Sequence, residues 1–357
     1  MAYIDSNLND PSLFFNIVLY TGNGTAIGSG GQAITGVGFA PNLTWIKERS
    51  STSPHKLLDT VRGATKELES NGTNAEATTA ESLAVFGSDG FTVGSNGAVN
   101  ENSQTYVSWN WKAGGGSSSS NEDGTINTTS TSVSTNAGFS ISKYTGNATN
   151  GATVGHGLGA APDFIFGKDL SDTSGWCVWH KDLTNAGYKL SLNGTDAQSD
   201  DVYAFGGSSR TAPTSTVFSL GEGGGLNGSN ANVVYCFTPK QGFSKFGKYT
   251  GNGNVSGPMI VTGMRPAWIM IKKMSSTGSW TIQDNKRDVD NPALIRLFPD
   301  TTDADTSSTS YSKDFLSNGF KIRNTNGNEN ASGATYIYAA FAEAPFVNSK
   351  GVPCNAR

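Results

Sequence analysis

The stretch Pro266–Lys272, PAWIMIK, carries apolar side chains on both faces of an extended chain. Trp268 and Met270 point one way and Ile269 and Ile271 the other, the pattern of a central strand covered on both sides. The leading proline cannot donate to a ladder, so it marks the strand's start. The same pattern recurs at Pro41–Lys47 (PNLTWIK) and Pro162–Lys168 (PDFIFGK). Upstream of each stands Tyr-Thr-Gly-Asn, at Tyr20–Asn23, Tyr144–Asn147 and Tyr249–Asn252. Downstream, His55, Trp176 and Trp280 each lie eight residues past the lysine. A Thr-x-Ala step follows at Thr73/Ala75, Thr195/Ala197 and Thr302/Ala304, and each unit closes on an alternating strand: YVSWNW (106–111), VVYCF (233–237) and YIYAAF (336–341). Repeats 1 and 3 also share F-x-S-[D/N]-G-F, at Phe86–Phe91 and Phe315–Phe320.

Features recurring three times in one order define tandem units of roughly 100 residues, each long enough to hold its own core. The expected organisation is an N-terminal arm over 1–15, repeat 1 over 16–112, a Gly/Ser/Thr-rich linker over 113–138, repeat 2 over 139–238, repeat 3 over 244–346 and a tail over 347–357. Short strands and Gly-rich turns such as GSNG (94–97) and GEGGG (221–225) predict three tandem antiparallel β-sandwiches, jelly-roll-like in kind. Trp111, Phe237 and Phe341 share one position of the closing strand and are expected in the cores of their own sandwiches. Val61–Glu69 is the one stretch that reads as helical, although Gly63 weakens it.

Composition agrees with an all-β fold. Gly contributes 45 of 357 residues, Ser, Thr and Asn are comparably abundant, and only 15% of residues are charged; these types favour turns and strands over long helices. With 36% hydrophobic residues and a net charge of −4, a packed core is feasible. No cluster of Lys and Arg offers a phosphate-tracking surface, and no apolar run has the length of a membrane span. The opening residues lack the pattern of a signal peptide, and three cysteines, 177, 236 and 354, do not make a disulfide framework, so synthesis in a reducing cytoplasm is expected.

No catalytic constellation stands out, and no metal or cofactor is assigned. His55 takes a position held elsewhere by Trp and reads as a packing residue. His156 lies in a Gly-His-Gly turn, and His180 reads as a surface histidine. Asp300, Asp303 and Asp305 form an acidic stretch that reads as a solvated loop without the spacing of a calcium-binding hand. Six of the seven tryptophans recur at equivalent positions, which points to scaffold; Trp179 alone does not, and is the candidate glycan contact if exposed. The arm Ala2–Phe15 carries Tyr3, Ile4, Leu8, Leu13, Phe14 and Phe15 without a strand pattern that claims them. Leu13, Phe14 and Phe15 are therefore the candidate partner-docking residues. The competing reading pairs Phe14 and Phe15 as the first strand of repeat 1.

Several motifs resemble those of an uncharacterised repeat-domain family of virion proteins from marine and freshwater tailed phages. They include the Tyr-Thr-Gly-Asn openings, Asp59–Asn71, Gly87–Gly116, Thr153–Pro162, Ala212–Gly221, Phe246–Gly253 and Phe315–Phe346, and the resemblance covers roughly residues 16–357. It implies a non-enzymatic structural protein on the exterior of a bacteriophage particle, as a head decoration, fibre or knob, and carries over no catalytic residues. The implied partners are other virion proteins of capsid or tail, with homo-oligomer formation, and the implied location is the virion. The alternative is a tail receptor-binding adhesin for host surface glycan. A glycan-cleaving tailspike would favour one long solenoid of short repeats, which the sequence lacks.

Overall fold

The three proline-led segments form strands Leu43–Glu48, Phe164–Asp169 and Met264–Lys273 in a computed structural model that describes residues 8–114 and 119–355. In each repeat an opening, a closing, a proline-led and an outer strand hydrogen-bond in that order, all antiparallel. Repeat 1 uses Phe15–Thr21, Thr105–Trp111, Leu43–Glu48 and Lys56–Asp59. Repeat 2 uses Phe139–Thr145, Ala231–Phe237, Phe164–Asp169 and Cys177–His180. Repeat 3 uses Ser244–Thr250, Thr335–Pro345, Met264–Lys273 and Thr281–Asp284. A smaller antiparallel sheet accompanies each: Gln32–Thr35, Gly90–Val93 and Leu83–Gly87 in repeat 1; Thr153–Gly155 and Val217–Ser219 in repeat 2; Met259–Val261, Gly319–Ile322 and Lys313–Leu316 in repeat 3. The chain is an all-β protein of sandwich type.

The two apolar faces of PAWIMIK have different partners. Ile269 and Ile271 pack with Ile260, Phe315 and Phe320 of the small sheet, which makes the sandwich of repeat 3. Trp268 and Met270 turn to a second core that all three repeats share. Ile46 and Trp45 divide in the same way. The closing-strand aromatics meet in the shared core: Trp111 and Phe237 lie 5.6 and 5.7 Å from Phe341, ring centre to ring centre. They are buried, but the expectation that each fills its own sandwich is corrected. An inward-facing aromatic buries more surface against two neighbouring sheets than one sheet can offer it.

The Tyr-Thr-Gly-Asn motif locks the strand ends together. The hydroxyls of Tyr20, Tyr144 and Tyr249 donate to the carbonyls of Val99, Leu226 and Glu329, at 2.7, 2.9 and 2.8 Å. The backbone N–H groups of Asn23, Asn147 and Asn252 donate to the side chains of Asn100, Asn227 and Asn330, each one residue further along. The intervening glycine admits no side chain: a Cβ on Gly22, Gly146 or Gly251 would sit 2.2, 1.9 or 2.4 Å from a backbone carbonyl oxygen.

Two further expectations are corrected. Val61–Glu69 is not helical; it is a turn leading into the strand Lys66–Glu69. The Asp59 carboxylate accepts from the Val61 and Arg62 N–H groups, and Gly63 and Thr65 take left-handed φ values of 99° and 68°. The 113–138 segment is not a bare linker, since Thr128–Ser134 is an edge strand paired with Phe139–Thr145. Its Thr and Ser hydroxyls bond internally, Thr131 to Ser142 at 3.1 Å, so a polar strand can be partly buried. Residues 115–118 of that segment lie outside the described residues.

Candidate functional site

The recurring motif residues converge on three seams that join the repeats into a ring. Repeat 2 docks on repeat 1: Trp176 Nε1 donates to the Glu69 carbonyl (2.8 Å), Ser174 N to Thr73 O and Glu76 N to Leu170 O. Repeat 3 docks on repeat 2 in the same way: Trp280 Nε1 donates to Ser191 O (2.8 Å), Gly278 N to Thr195 O and Gln198 N to Met274 O. Repeat 1 closes the ring on repeat 3: His55 Nε2 bonds Phe298 O (3.0 Å), Ser53 N donates to Thr302 O and Asp305 N to Arg49 O. The Thr-x-Ala loops are thus the receptor half of each seam, and the contacts relate the repeats by an approximate threefold axis through the shared core. Asn71, Asn193 and Asp300 accept from the backbone N–H groups of His55, Trp176 and Trp280 and hold those residues in place.

A buried lysine recurs beside each proline-led strand's end, and in repeat 3 it bridges a seam. Lys47, Lys168 and Lys272 are fully buried, and each Nζ donates to the carbonyl of the following residue; Lys272 also reaches Thr195 O and Asp196 O across the seam. Burial pushes Lys47 and Lys272 down to about 8, and raises Asp300 to about 6. Near the axis the Asp59–Arg62 pair accepts the Tyr235 hydroxyl of repeat 2 at 2.7 Å. The Asp284–Arg287 pair likewise accepts Trp109 Nε1 of repeat 1 at 3.0 Å. In repeat 2 the outer strand ends instead on His180, so the seam between repeats 2 and 3 lacks this ion pair.

The candidates singled out in the sequence are mostly internal. Trp179 is buried in the outer strand of repeat 2, which corrects its reading as a glycan contact. His180 is buried as well and not at the surface; burial pushes it down to about 3. His156 bonds Thr214 O and accepts from Leu158 N. His55 is the packing residue expected: its Nδ1 accepts from Trp45 Nε1 at 2.9 Å. In the acidic stretch, Asp305 pairs with Arg49 across a seam and Asp300 serves Trp280. No cluster of three metal-ligating side chains occurs among the described residues.

The arm is also drawn inward. Phe15 opens the first strand and lies 5.2 Å from Phe341 and 4.9 Å from Trp111. Leu8 and Pro11 are buried, and Phe14 meets Phe243 edge-on at 6.0 Å. Asn9 exchanges hydrogen bonds with Ser349, so arm and tail clasp each other at the closure of the ring. This corrects the reading of Phe14 and Phe15 as free docking groups, because Phe15 lies in the shared core and Phe14 packs against it. Leu13 remains exposed. Residues 2–7 of the arm lie outside the described residues.

The outward surface differs among repeats. In repeat 2 the edge of the small sheet is covered by its own chain, with Ile126 N donating to Thr153 O at 2.9 Å. In repeat 3 the corresponding edge, Met259–Val261, carries exposed Met259 and Val261.

The fold and the seams define a class of protein: three sandwich repeats closed into a pseudo-threefold ring within one chain. The chain belongs to the family described as a domain of unknown function, DUF7483, whose match runs over residues 10–345. The matched region spans all three repeats and ends with the last closing strand. No curated protein and no solved structure gives a significant match.

Proposed function

We propose that this chain is a non-enzymatic structural protein on the exterior of a bacteriophage particle, of the head decoration, fibre or knob kind. The observation that carries the reading is the closed ring. His55, Trp176 and Trp280, which recur at one spacing, join repeat to repeat, and Lys272, Asp59 and Asp284 add further bonds across the seams. A chain built this way invests its chemistry in a rigid body. An approximate threefold body can meet a threefold arrangement of other subunits through similar loops on each repeat. The phage setting rests on the motif resemblance alone. The test is the protein content of purified particles, with gold-labelled antibody to place the chain on head or tail. Absence from washed particles overturns the reading, and selective binding to host envelope glycan on an array moves it to the adhesin.

A further inference from the structure

Repeat 3 departs from repeat 1 at one buried spot. Lys313, Gln283 and Glu329 converge in the sandwich interior, all essentially inaccessible to water. The Lys313 amine touches both the Gln283 amide oxygen and the Glu329 carboxylate. Glu329 also accepts from Thr281 Oγ1 at 2.7 Å and Asn324 Nδ2 at 3.0 Å, and Gln283 Nε2 donates to Ala293 O at 3.2 Å. The equivalents in repeat 1 are apolar. Leu83 pairs with Val93 as Lys313 pairs with Ile322. Leu58 precedes Asp59 as Gln283 precedes Asp284. Val99 receives the motif tyrosine as Glu329 does. Those three residues pack in one apolar cluster. The fold therefore does not require the polar trio, and burying a lysine and a carboxylate is generally no more stabilising than burying apolar residues of similar size.

We propose that Lys313 and Gln283 are joined by a self-catalysed isopeptide bond, with Glu329 as the proton carrier. Burial lowers the pKa of the Lys313 amine, which favours the neutral nucleophile. Glu329 takes one proton from the ammonium group, and the free Nζ attacks Cδ of Gln283. In the tetrahedral adduct Glu329 returns that proton to Nε2 and takes a second from Nζ. The Cδ–Nε2 bond then breaks, the Nζ–Cδ amide remains, and one ammonia leaves, accepting the last proton from Glu329 as ammonium. No oxidant or co-reactant enters. The bond would tie the outer strand Thr281–Asp284 of the main sheet to Lys313–Leu316 of the small sheet, stapling the sandwich of repeat 3 across its two layers.

The test is mass spectrometry of the full-length protein. The expected mass is lower than that of the sequence by one ammonia, and digestion yields a branched peptide linking Gln283 to Lys313. E329Q is expected to keep the ammonia and give the two peptides separately. The triple substitution Q283L, K313L and E329V, which copies the apolar residues of repeat 1, is expected to fold without the link, which separates bond formation from folding. A wild-type chain of full sequence mass overturns the proposal. So does an ammonia loss that maps to an asparagine with Gln283 and Lys313 unlinked.

Discussion

Replacing Phe341 by Ala tests whether the three repeats are one cooperative body. Phe341 is buried and meets rings from every part of the chain: Phe15 of the arm side, Trp111 of repeat 1, Phe237 of repeat 2, and Phe243, Phe246 and Trp268 around repeat 3. Truncating a buried phenylalanine removes its transfer free energy and leaves a cavity, together roughly 3–5 kcal/mol. Rigid sheets surround this site on all sides, which limits collapse and places the loss toward the upper end. For a chain of this size that corresponds to a drop in melting temperature of about 4–7 °C, if the whole chain unfolds together. Differential scanning calorimetry of the full-length protein reads both quantities. The expected result is one transition that moves as a unit. Separate transitions of which only one shifts would refute the shared core, as would a loss below about 1 kcal/mol.

Three further outcomes follow from the buried groups. Burial holds His180 at about 3 and also lowers His55, so both are neutral in the fold and take up protons only on unfolding. The cost these two histidines add is absent above about pH 6.5 and grows as the pH drops below it, for His180 by roughly 1.4 kcal/mol per pH unit down to about 3, while Asp300, raised to about 6, takes up its proton in the fold and offsets one histidine's share between about pH 6 and 4; a urea midpoint that does not fall between neutral and mildly acidic pH contradicts this. Trp280→Phe leaves the Ser191 carbonyl without its seam donor and should cost roughly 1–3 kcal/mol in chemical denaturation, and a change within error would show that the seam does not depend on that bond. Cys177 and Cys236 are buried, and burial raises both thiols, whereas Cys354 is partly accessible. A colourimetric thiol titration should therefore find one reactive cysteine in the native protein and three after unfolding; fast labelling of Cys177 or Cys236 would contradict their burial.

The sandwich fold was legible because strand periodicity is local. PAWIMIK already displayed two apolar faces, and both turned out to be covered. What covers the second face was not legible, because a strand pattern says that a face is buried and not whether a sibling sheet or a neighbouring repeat buries it. Trp111, Phe237 and Phe341 carry the same signal in either case. The seams were visible only as coincidences of order. His55, Trp176 and Trp280 recur at one spacing, but their donors reach carbonyls such as Phe298 O, which any residue type could supply. Asn71 and Asn193 were lost among abundant asparagines, and their partner in the third repeat is the chemically different Asp300. The arm misled for a different reason: Phe15 and Ile17 do alternate with half-buried Asn16 and Val18, but Phe15 is the first residue of that short pattern and reads with the apolar residues before it rather than with the strand after it.

Internal repetition supplies a control that a single-copy fold lacks. Where three repeats agree, as at the tyrosine locks, the buried lysines and the Thr-x-Ala loops, the residue has a role the architecture needs three times over. Where one repeat departs at a buried position, the other two show what the architecture alone would accept. His180 replaces an aspartate that pairs with arginine in the other two repeats, and faces a closing strand whose corresponding residue is Ala339 rather than Trp109 or Tyr235. Donor and acceptor are lost together there, so no buried charge is stranded and the change needs no further account. Lys313, Gln283 and Glu329 are the opposite case: three polar groups enter together where Leu83, Leu58 and Val99 would suffice. Buried polar groups in mutual contact carry a desolvation cost, and bond formation between the amine and the amide is a process that would remove the lysine's share of that cost permanently.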